Sequence, residues 1–231
     1  MKLIDEQHTK FPVRFGQLKL KEYLEGKLNT EVNRKRIQRL MRLMNIQGDF
    51  EKKKMSVASK DHKIYPYLLT NLDISESNLV WSSDITYIPM RHGYMYLVAV
   101  IDWYSRYILS WELSNSMTSD FCRSALLSAL KKGKPAIFNT DQGSQFTSEQ
   151  YINILKRSEI KISMDGRGRW LDNVFIERFW RTIKYENIYK NSYDTVNELY
   201  DGIDRYIKYY NNKRIHQSLK YKTPKEVYFS N

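Results

Sequence analysis

Residues 80–113 read VWSSDITYIPMRHGYMYLVAVIDWYSRYILSWEL. Runs rich in β-branched and aromatic residues occupy 80–89, 93–102 and 106–113, and Arg91-His92-Gly93 and Trp103-Tyr104-Ser105 between them are short enough to be hairpin connections. The three runs therefore form an antiparallel meander. Downstream the period changes: 119–131 is helical, 136–139 is a short buried strand, 147–157 is helical and 160–163 is a further strand. Such alternation adds parallel strands to the meander, so the fold class is α/β, a mixed five-stranded sheet flanked by helices. In that order the first and fourth strands can be neighbours. A loop with two glycines spans 165–172, a helix follows from Asn173, another runs over 195–211, and the tail ends around Pro224.

The totals set bounds on what this sheet belongs to. A chain of 231 residues, 42% hydrophobic and 14% aromatic, holds one sizeable domain and a small one, and argues against disorder throughout. No apolar run approaches the ~20 residues needed to span a bilayer, and Met1 to Glu6 lacks an apolar signal core, so the expected location is the cytoplasm, on the nucleoid, with no membrane partner. Cys122 is the only cysteine, which excludes an internal disulfide and any cysteine-cluster zinc site. The four histidines are scattered without ligand spacing. A net charge of +12 suggests a polyanionic partner, above all nucleic acid. Residues 1–60 carry 15 Lys/Arg against 7 Asp/Glu and leave 23 against 19 for the remainder, so a quarter of the chain holds two thirds of the excess.

That basic quarter reads as a separate helical module over 1–46. Phe15-Gly16 breaks it before a segment running to about Leu28. Asn33 caps a helix in which Ile37, Leu40, Met41 and Met44 repeat at helical spacing. Arg34, Lys35, Arg36, Arg39 and Arg42 cover much of the rest, a pattern suited to a basic helix pressed on DNA in a helix-turn-helix manner, or to a solvated amphipathic helix. Residues 47–78, with Lys52-Lys53-Lys54, are polar and irregular and read as a linker, leaving 79–231 for the sheet domain and its C-terminal helices.

Three acids stand out against this framework. Asp84 interrupts a strand that is otherwise β-prone and half-buried, where a carboxylate is costly unless it is paired or binds metal. Asp141 ends the fourth strand, beyond whose carboxyl edge ligands bind in open α/β sheets. Glu177 lies on the helix Asn173–Tyr185, sharing a face with Arg181 and Lys184 at i+4 and i+7, while Val174, Ile176, Phe179, Trp180 and Ile183 cover much of the remainder. Singly, each has an ordinary reading: a salt-bridged Asp, a turn Asp, a surface Glu–Arg pair contributing roughly 0.2–0.5 kcal/mol. Together, three hard oxygen ligands suit Mg²⁺ or Mn²⁺. Two such ions roughly 3.5–4 Å apart clamp an in-line phosphoryl transfer.

Six phrases carry a resemblance that covers residues 78–228. They are Trp81 to Ile88, Asp102 to Arg106, Thr140 to Ser148, Asp165 to Asn173, Phe175 to Glu186 and Tyr210 to Leu219, in register, with 35 residues between Asp141 and Glu177. In these the chain resembles the catalytic core of bacterial insertion-sequence transposases of the two-reading-frame, OrfB type, within the retroviral integrase superfamily. The resemblance implies an RNase H-like fold, Asp84, Asp141 and Glu177 as catalytic metal ligands for two Mg²⁺ or Mn²⁺ ions, and cleavage and strand transfer at insertion-sequence ends. Water and then a DNA 3′-hydroxyl would attack, without a covalent protein–DNA intermediate. It further implies DNA contacts by Arg181 and Lys184, by Arg167, Arg169 and Trp170 in the glycine-containing loop, and by Gln142 and Ser144. For Trp170 core packing, and for Gln142 and Ser144 a loop-stabilising hydrogen bond, are the alternatives. Asp102, Asp165 and Asp172 lack the matching placement and read as turn or capping residues.

Departures from the family pattern lie outside the triad: Phe15-Gly16-Gln17-Leu18-Lys19 replaces the usual Tyr-Gly-Xaa-Arg-Arg, and Ile215 and Lys220 replace Pro and Gly around His216-Gln217-Ser218-Leu219. The expected partners are double-stranded DNA, both transposon end and target, further copies of the chain on that DNA, and an upstream-frame protein or frameshifted fusion for end recognition. A catalytically silent repressor derived from a transposable element and a structure-specific nuclease on the same fold are the competing functions.

Overall fold

The computed structural model describes residues 1–10, 15–44, 46, 64–91, 93–166 and 173–230, which fall into two compact units, Met1–Val57 and Ala58–Asn231. In the first unit, α1 (Lys2–Lys10), α2 (Gln17–Leu28) and α3 (Arg34–Leu43) enclose a small core of Ile4, Leu20, Leu24, Ile37 and Met41. Asn33 caps α3 as its sequence indicates, its side-chain oxygen accepting from the Lys35 backbone N–H at 2.8 Å. Arg34, Lys35, Arg36, Arg39 and Arg42 are all exposed, because Ile37 and Met41 take the inward positions one turn apart.

The second unit is built on one sheet of order β3-β2-β1-β4-β5. Strands β1 (Val80–Pro89), β2 (Tyr94–Asp102) and β3 (Ile108–Ser114) form the antiparallel meander, and β4 (Ile137–Thr140) and β5 (Lys161–Met164) join it in parallel beside β1. The apolar run of β2 explains how both faces are covered. Leu97, Ala99 and Ile101 point to one side and Val98 and Val100 to the other, as period-two side chains must. The first set packs under α7 (Val174–Ile183) and α8 (Val196–Asn212), the second under α4 (Ser119–Leu130) and α6 (Glu149–Arg157).

Some elements differ from those read in the sequence. The helix placed over 147–157 is two, a single turn α5 (Ser144–Thr147) and α6, because Ser148 takes an extended conformation between them. The helix placed over 173–185 stays α-helical only to Ile183 and continues as a π-helical turn, Lys184–Ile188. Beyond Pro224 the tail adds α9 (Pro224–Tyr228), whose start Thr223 and Glu226 cap reciprocally. Residues 64–78, read as linker, lie on the sheet unit: Leu69 is buried in its core and the Leu68 N–H donates to Ser163 Oγ at 3.0 Å. Their apolar residues, Ile64, Tyr65, Tyr67, Leu68, Leu69, Leu72 and Ile74, follow no sustained helical or strand period, so sequence periodicity does not register them.

Long-range polar contacts fix the C-terminal elements. Asn211 on α8 exchanges two 2.9 Å hydrogen bonds with the backbone of Ile108 at the start of β3. Arg214 grips Glu186 of the π-helical turn with two nitrogens, Nη2 at 2.7 Å, and Tyr206 donates to the same carboxylate at 2.8 Å. No helix among the described residues is long and apolar enough to cross a membrane.

Candidate active site

Parallel pairing of β1 with β4 sets the geometry. Their register puts Ser82 opposite Asn139, so two residues further along each chain Asp84, mid-strand in β1 and still paired with Ala99 of β2, lies next to Asp141, just past the end of β4. Asp84 is half-buried, and its carboxyl is pushed up to about 6, first by burial and further by the negative charges of Asp141 and Glu177. Two donors oppose this rise, the Ile85 backbone N–H and, more strongly, Trp180 Nε1 on α7, which donates to Asp84 Oδ2 at 2.9 Å. Because Trp180 lies three residues after Glu177, that bond also ties the glutamate's helix to β1.

Asp141 is solvent-exposed at the strand end, and desolvation there still raises its carboxyl. Its Oδ1 accepts the Gly143 N–H at 2.9 Å. A Cβ at Gly143 would stand 2.9 Å from the same oxygen, so the glycine is what lets the chain turn this tightly around the carboxylate. Glu177 is exposed, and desolvation raises its carboxyl too. Among the described residues no ion pair joins it to Arg181. Burial of Ile176, Phe179 and Ile183, each contributing about 1.5–3 kcal/mol, holds α7 on the sheet with this charged face outward.

The donor set fits a hard divalent cation in its chemistry. It is oxygen-only and carboxylate-only, and its members raise the proton affinity of Asp84, an excess of negative charge that a cation would relieve. Its arrangement is incomplete: among the described residues no three His, Cys, Asp or Glu side chains stand close enough together to hold a metal ion. Asp84 and Asp141 emerge on adjacent strands, while Glu177 approaches through its helix.

The remaining candidates fall into three groups. Arg181 is exposed and Lys184 half-buried, its ammonium lowered by burial and supported in part by the charge of Asp84, which puts it within electrostatic reach of that carboxylate. Gln142 donates its amide to the Asp165 carbonyl at 2.8 Å, a loop-stabilising bond, and Ser144 is exposed at the start of α5. Arg167, Arg169 and Trp170 lie outside the described residues, as do Gly168, Asp172 and Lys52 to Lys54. Asp102 accepts from Ser105 through Oδ1 and from the Asn78 N–H through Oδ2, and Asp165 accepts from Asn139, so both serve their loops. Sequence reasoning misses Trp180 and Gly143 as supports of the carboxylates. In the sequence the first reads only as an apolar face residue, although an indole N–H three positions from the acid is the available signal.

A mixed sheet of this order, with one carboxylate within the central strand β1 and a second just past the end of its parallel neighbour β4, defines the integrase-core class. In sequence, residues 75–169 and 158–224 match two family models described as "Integrase core domain", and residues 1–54 match an "HTH-like domain". In structure, the chain is similar to the HTLV-2 integrase catalytic core domain in complex with magnesium (dimeric form). The TM-score is 0.55 at 24% identity, covering 67% of this chain and 98% of that one. It is 36% identical to the transposase for insertion sequence element IS904 of Lactococcus lactis, over 92% of this chain and 87% of that protein. It is 32% identical to the putative transposase InsK for insertion sequence element IS150 of Escherichia coli K12, over 97% and 81%. The chain belongs to the insertion-sequence transposases of the IS3 family, OrfB type, enzymes of the polynucleotidyl-transferase kind.

Proposed function

We propose that the protein cuts DNA at the ends of an insertion sequence and joins the freed 3′ ends to target DNA, using Asp84, Asp141 and Glu177 as ligands for two Mg²⁺ or Mn²⁺ ions. The observation that carries this reading is the convergence on β1. The neighbouring parallel strand brings Asp141 to the same edge, and α7, bonded to Asp84 through Trp180, brings Glu177 within electrostatic reach of it.

When bound, the metal pair supplies Lewis acidity at the scissile phosphate, activating the attacking oxygen and neutralising the leaving one. The protein's own residues do the positioning. Asp84 and Asp141, held by Trp180 and Gly143, present fixed oxygens. Glu177, exposed and without an Arg181 ion pair among the described residues, completes the set. Arg181 and Lys184 on the same helix face hold the DNA backbone, and no side chain serves as nucleophile. The exposed cations of α3 anchor double-stranded DNA through a module over 1–46, joined through 47–78, of which 64–78 packs on the sheet unit, to the catalytic region 79–231. Further copies of the chain bring two ends together.

Incubation of the chain with Mg²⁺ and an oligonucleotide duplex carrying the element's end should yield both nicked and joined products. Glu177→Gln should abolish both while leaving duplex binding in place. Normal cleavage by Glu177→Gln would refute the ligand assignment, and cutting without joining would make the enzyme a nuclease.

A further inference from the structure

Three of the phrases that carry the family resemblance meet away from the carboxylates, at a cavity of about 380 Å³ whose lining includes Trp103, Tyr104, Arg106, Phe175, Lys220 and Lys222. The turn between β2 and β3 supplies the first three. Because Trp81 pairs with Asp102, this turn lies beyond the end of β1 opposite to the direction of Asp84.

Arg106 is the residue in need of explanation. It is half-buried, and desolvation pulls its guanidinium down to about 10, a cost that burial of a cation carries unless an anion faces it. The guanidinium lies over the face of Phe175, 3.6 Å from the ring centroid, and donates a long 3.5 Å bond from Nη1 to the Tyr104 carbonyl. The charge of Asp102 supports the guanidinium in part, but both Asp102 oxygens are hydrogen-bonded to Ser105 and Asn78. No ion pair to Arg106 occurs among the described residues. Arg106 and Lys220 both sit in the left-handed backbone region, at φ 64° and 54°, which a non-glycine residue adopts at a cost. Exposed Lys220 and Lys222 add two more cations to the same cavity.

The aromatic lining is unevenly engaged. Trp103 and Phe175 pack edge to face at 5.0 Å, and the Trp103 N–H is spent on Ser82 Oγ at 2.8 Å. Tyr104, half-buried, has no ring partner among the described residues. Three cations and one such ring side by side are the chemistry of a single nucleotide unit, phosphate on the cations and base on the ring.

We infer that this cavity is a second DNA site, taking an unpaired nucleotide of the strand being processed, its phosphodiester against Arg106, Lys220 and Lys222 and its base against Tyr104. The inference rests on the reading of the chain as a DNA-acting enzyme.

The test is photo-crosslinking of the full chain to a single-stranded oligonucleotide containing iododeoxyuridine, with adducts mapped by mass spectrometry and binding followed in parallel by fluorescence anisotropy. The expected adduct is on Tyr104. Lys220→Gln combined with Lys222→Gln, at exposed positions, should cut its yield by about five-fold or more and flatten the salt dependence of binding by about 0.7 for each phosphate no longer neutralised. Arg106→Gln should do the same where it folds. Unlabelled oligonucleotide should suppress the adduct, and inorganic phosphate at equal phosphate concentration should not. Equal suppression by phosphate would reduce the cavity to a simple anion site and overturn the nucleotide assignment. Intact anisotropy with adducts only elsewhere would overturn the cavity alone, whereas absence of any DNA binding would overturn the function on which it rests.

Discussion

Asp84→Asn should make the metal-free protein more stable while removing its activity. The carboxyl of Asp84, ordinarily near 3.8, is pushed up to about 6 in the fold by burial and by the charges of Asp141 and Glu177. A carboxyl raised on folding contributes stability that is fully present below its unfolded value and lost as pH rises through the folded one. The window is therefore pH 4 to 6, and above it the ionised group burdens the fold. At ~1.4 kcal/mol per pH unit the full linkage is about 3 kcal/mol, and solvent screening of a half-buried group reduces it to about 1–2 kcal/mol. For a unit of this size that is a rise in Tm of about 3–6 °C in the isosteric variant at pH 7.5. Asn keeps an oxygen to accept the Trp180 N–H, so the comparison isolates the charge. Differential scanning calorimetry in EDTA measures it, with a second scan at pH 4 where the two proteins should converge. Adding Mg²⁺ should raise the Tm of the parent and leave the variant unchanged. A lower Tm for Asp84→Asn at pH 7.5 would show that the carboxylates are not electrostatically crowded, and the case for a cation between them would go with it.

Two other substitutions probe the supports of the same site. Gly143 has an ordinary extended backbone, φ −62° and ψ 148°, so Gly143→Ala is conformationally permitted and acts only through its Cβ, 2.9 Å from Asp141 Oδ1. Cleavage should fall by about 10-fold or more with Tm nearly unchanged, and full activity in gel-based cleavage assays would mean that Asp141 need not sit where it is seen. Trp180→Phe keeps an aromatic ring, though a smaller one, and deletes the N–H bonded to Asp84, a bond to a charged acceptor of about 1.5–3 kcal/mol. The Mg²⁺ concentration for half-maximal cleavage should rise by about 10-fold or more, with a smaller change at saturating metal; an unmoved Mg²⁺ titration would assign Trp180 to packing alone.

How far the sequence discloses this molecule depends on what kind of signal each part leaves. The β-rich runs and the strand–helix alternation after them give a mixed five-stranded sheet flanked by helices, in which the first and fourth strands can be neighbours; the pairing of β1 with β4 is seen in the fold. The acids stand out only as a set: singly each has an ordinary reading, and their combination, spacing and resemblance to the family are what single them out. Their supports leave no such signal. Trp180 satisfies the apolar pattern of α7 whether or not its N–H is used, and Gly143 could belong to any turn. Asn211 and Glu186 resemble surface polar residues until the chain folds back, the one onto Ile108 and the other onto Arg214. The same reasoning separates Arg106 from the other cations. Most of the chain's basic charge is on surfaces where water meets its cost, whereas Arg106 is taken out of water beside Phe175 with no ion-paired anion among the described residues. A charge excess read from composition points to a polyanion in general; a cation that folding has desolvated points to one position where that polyanion should be found.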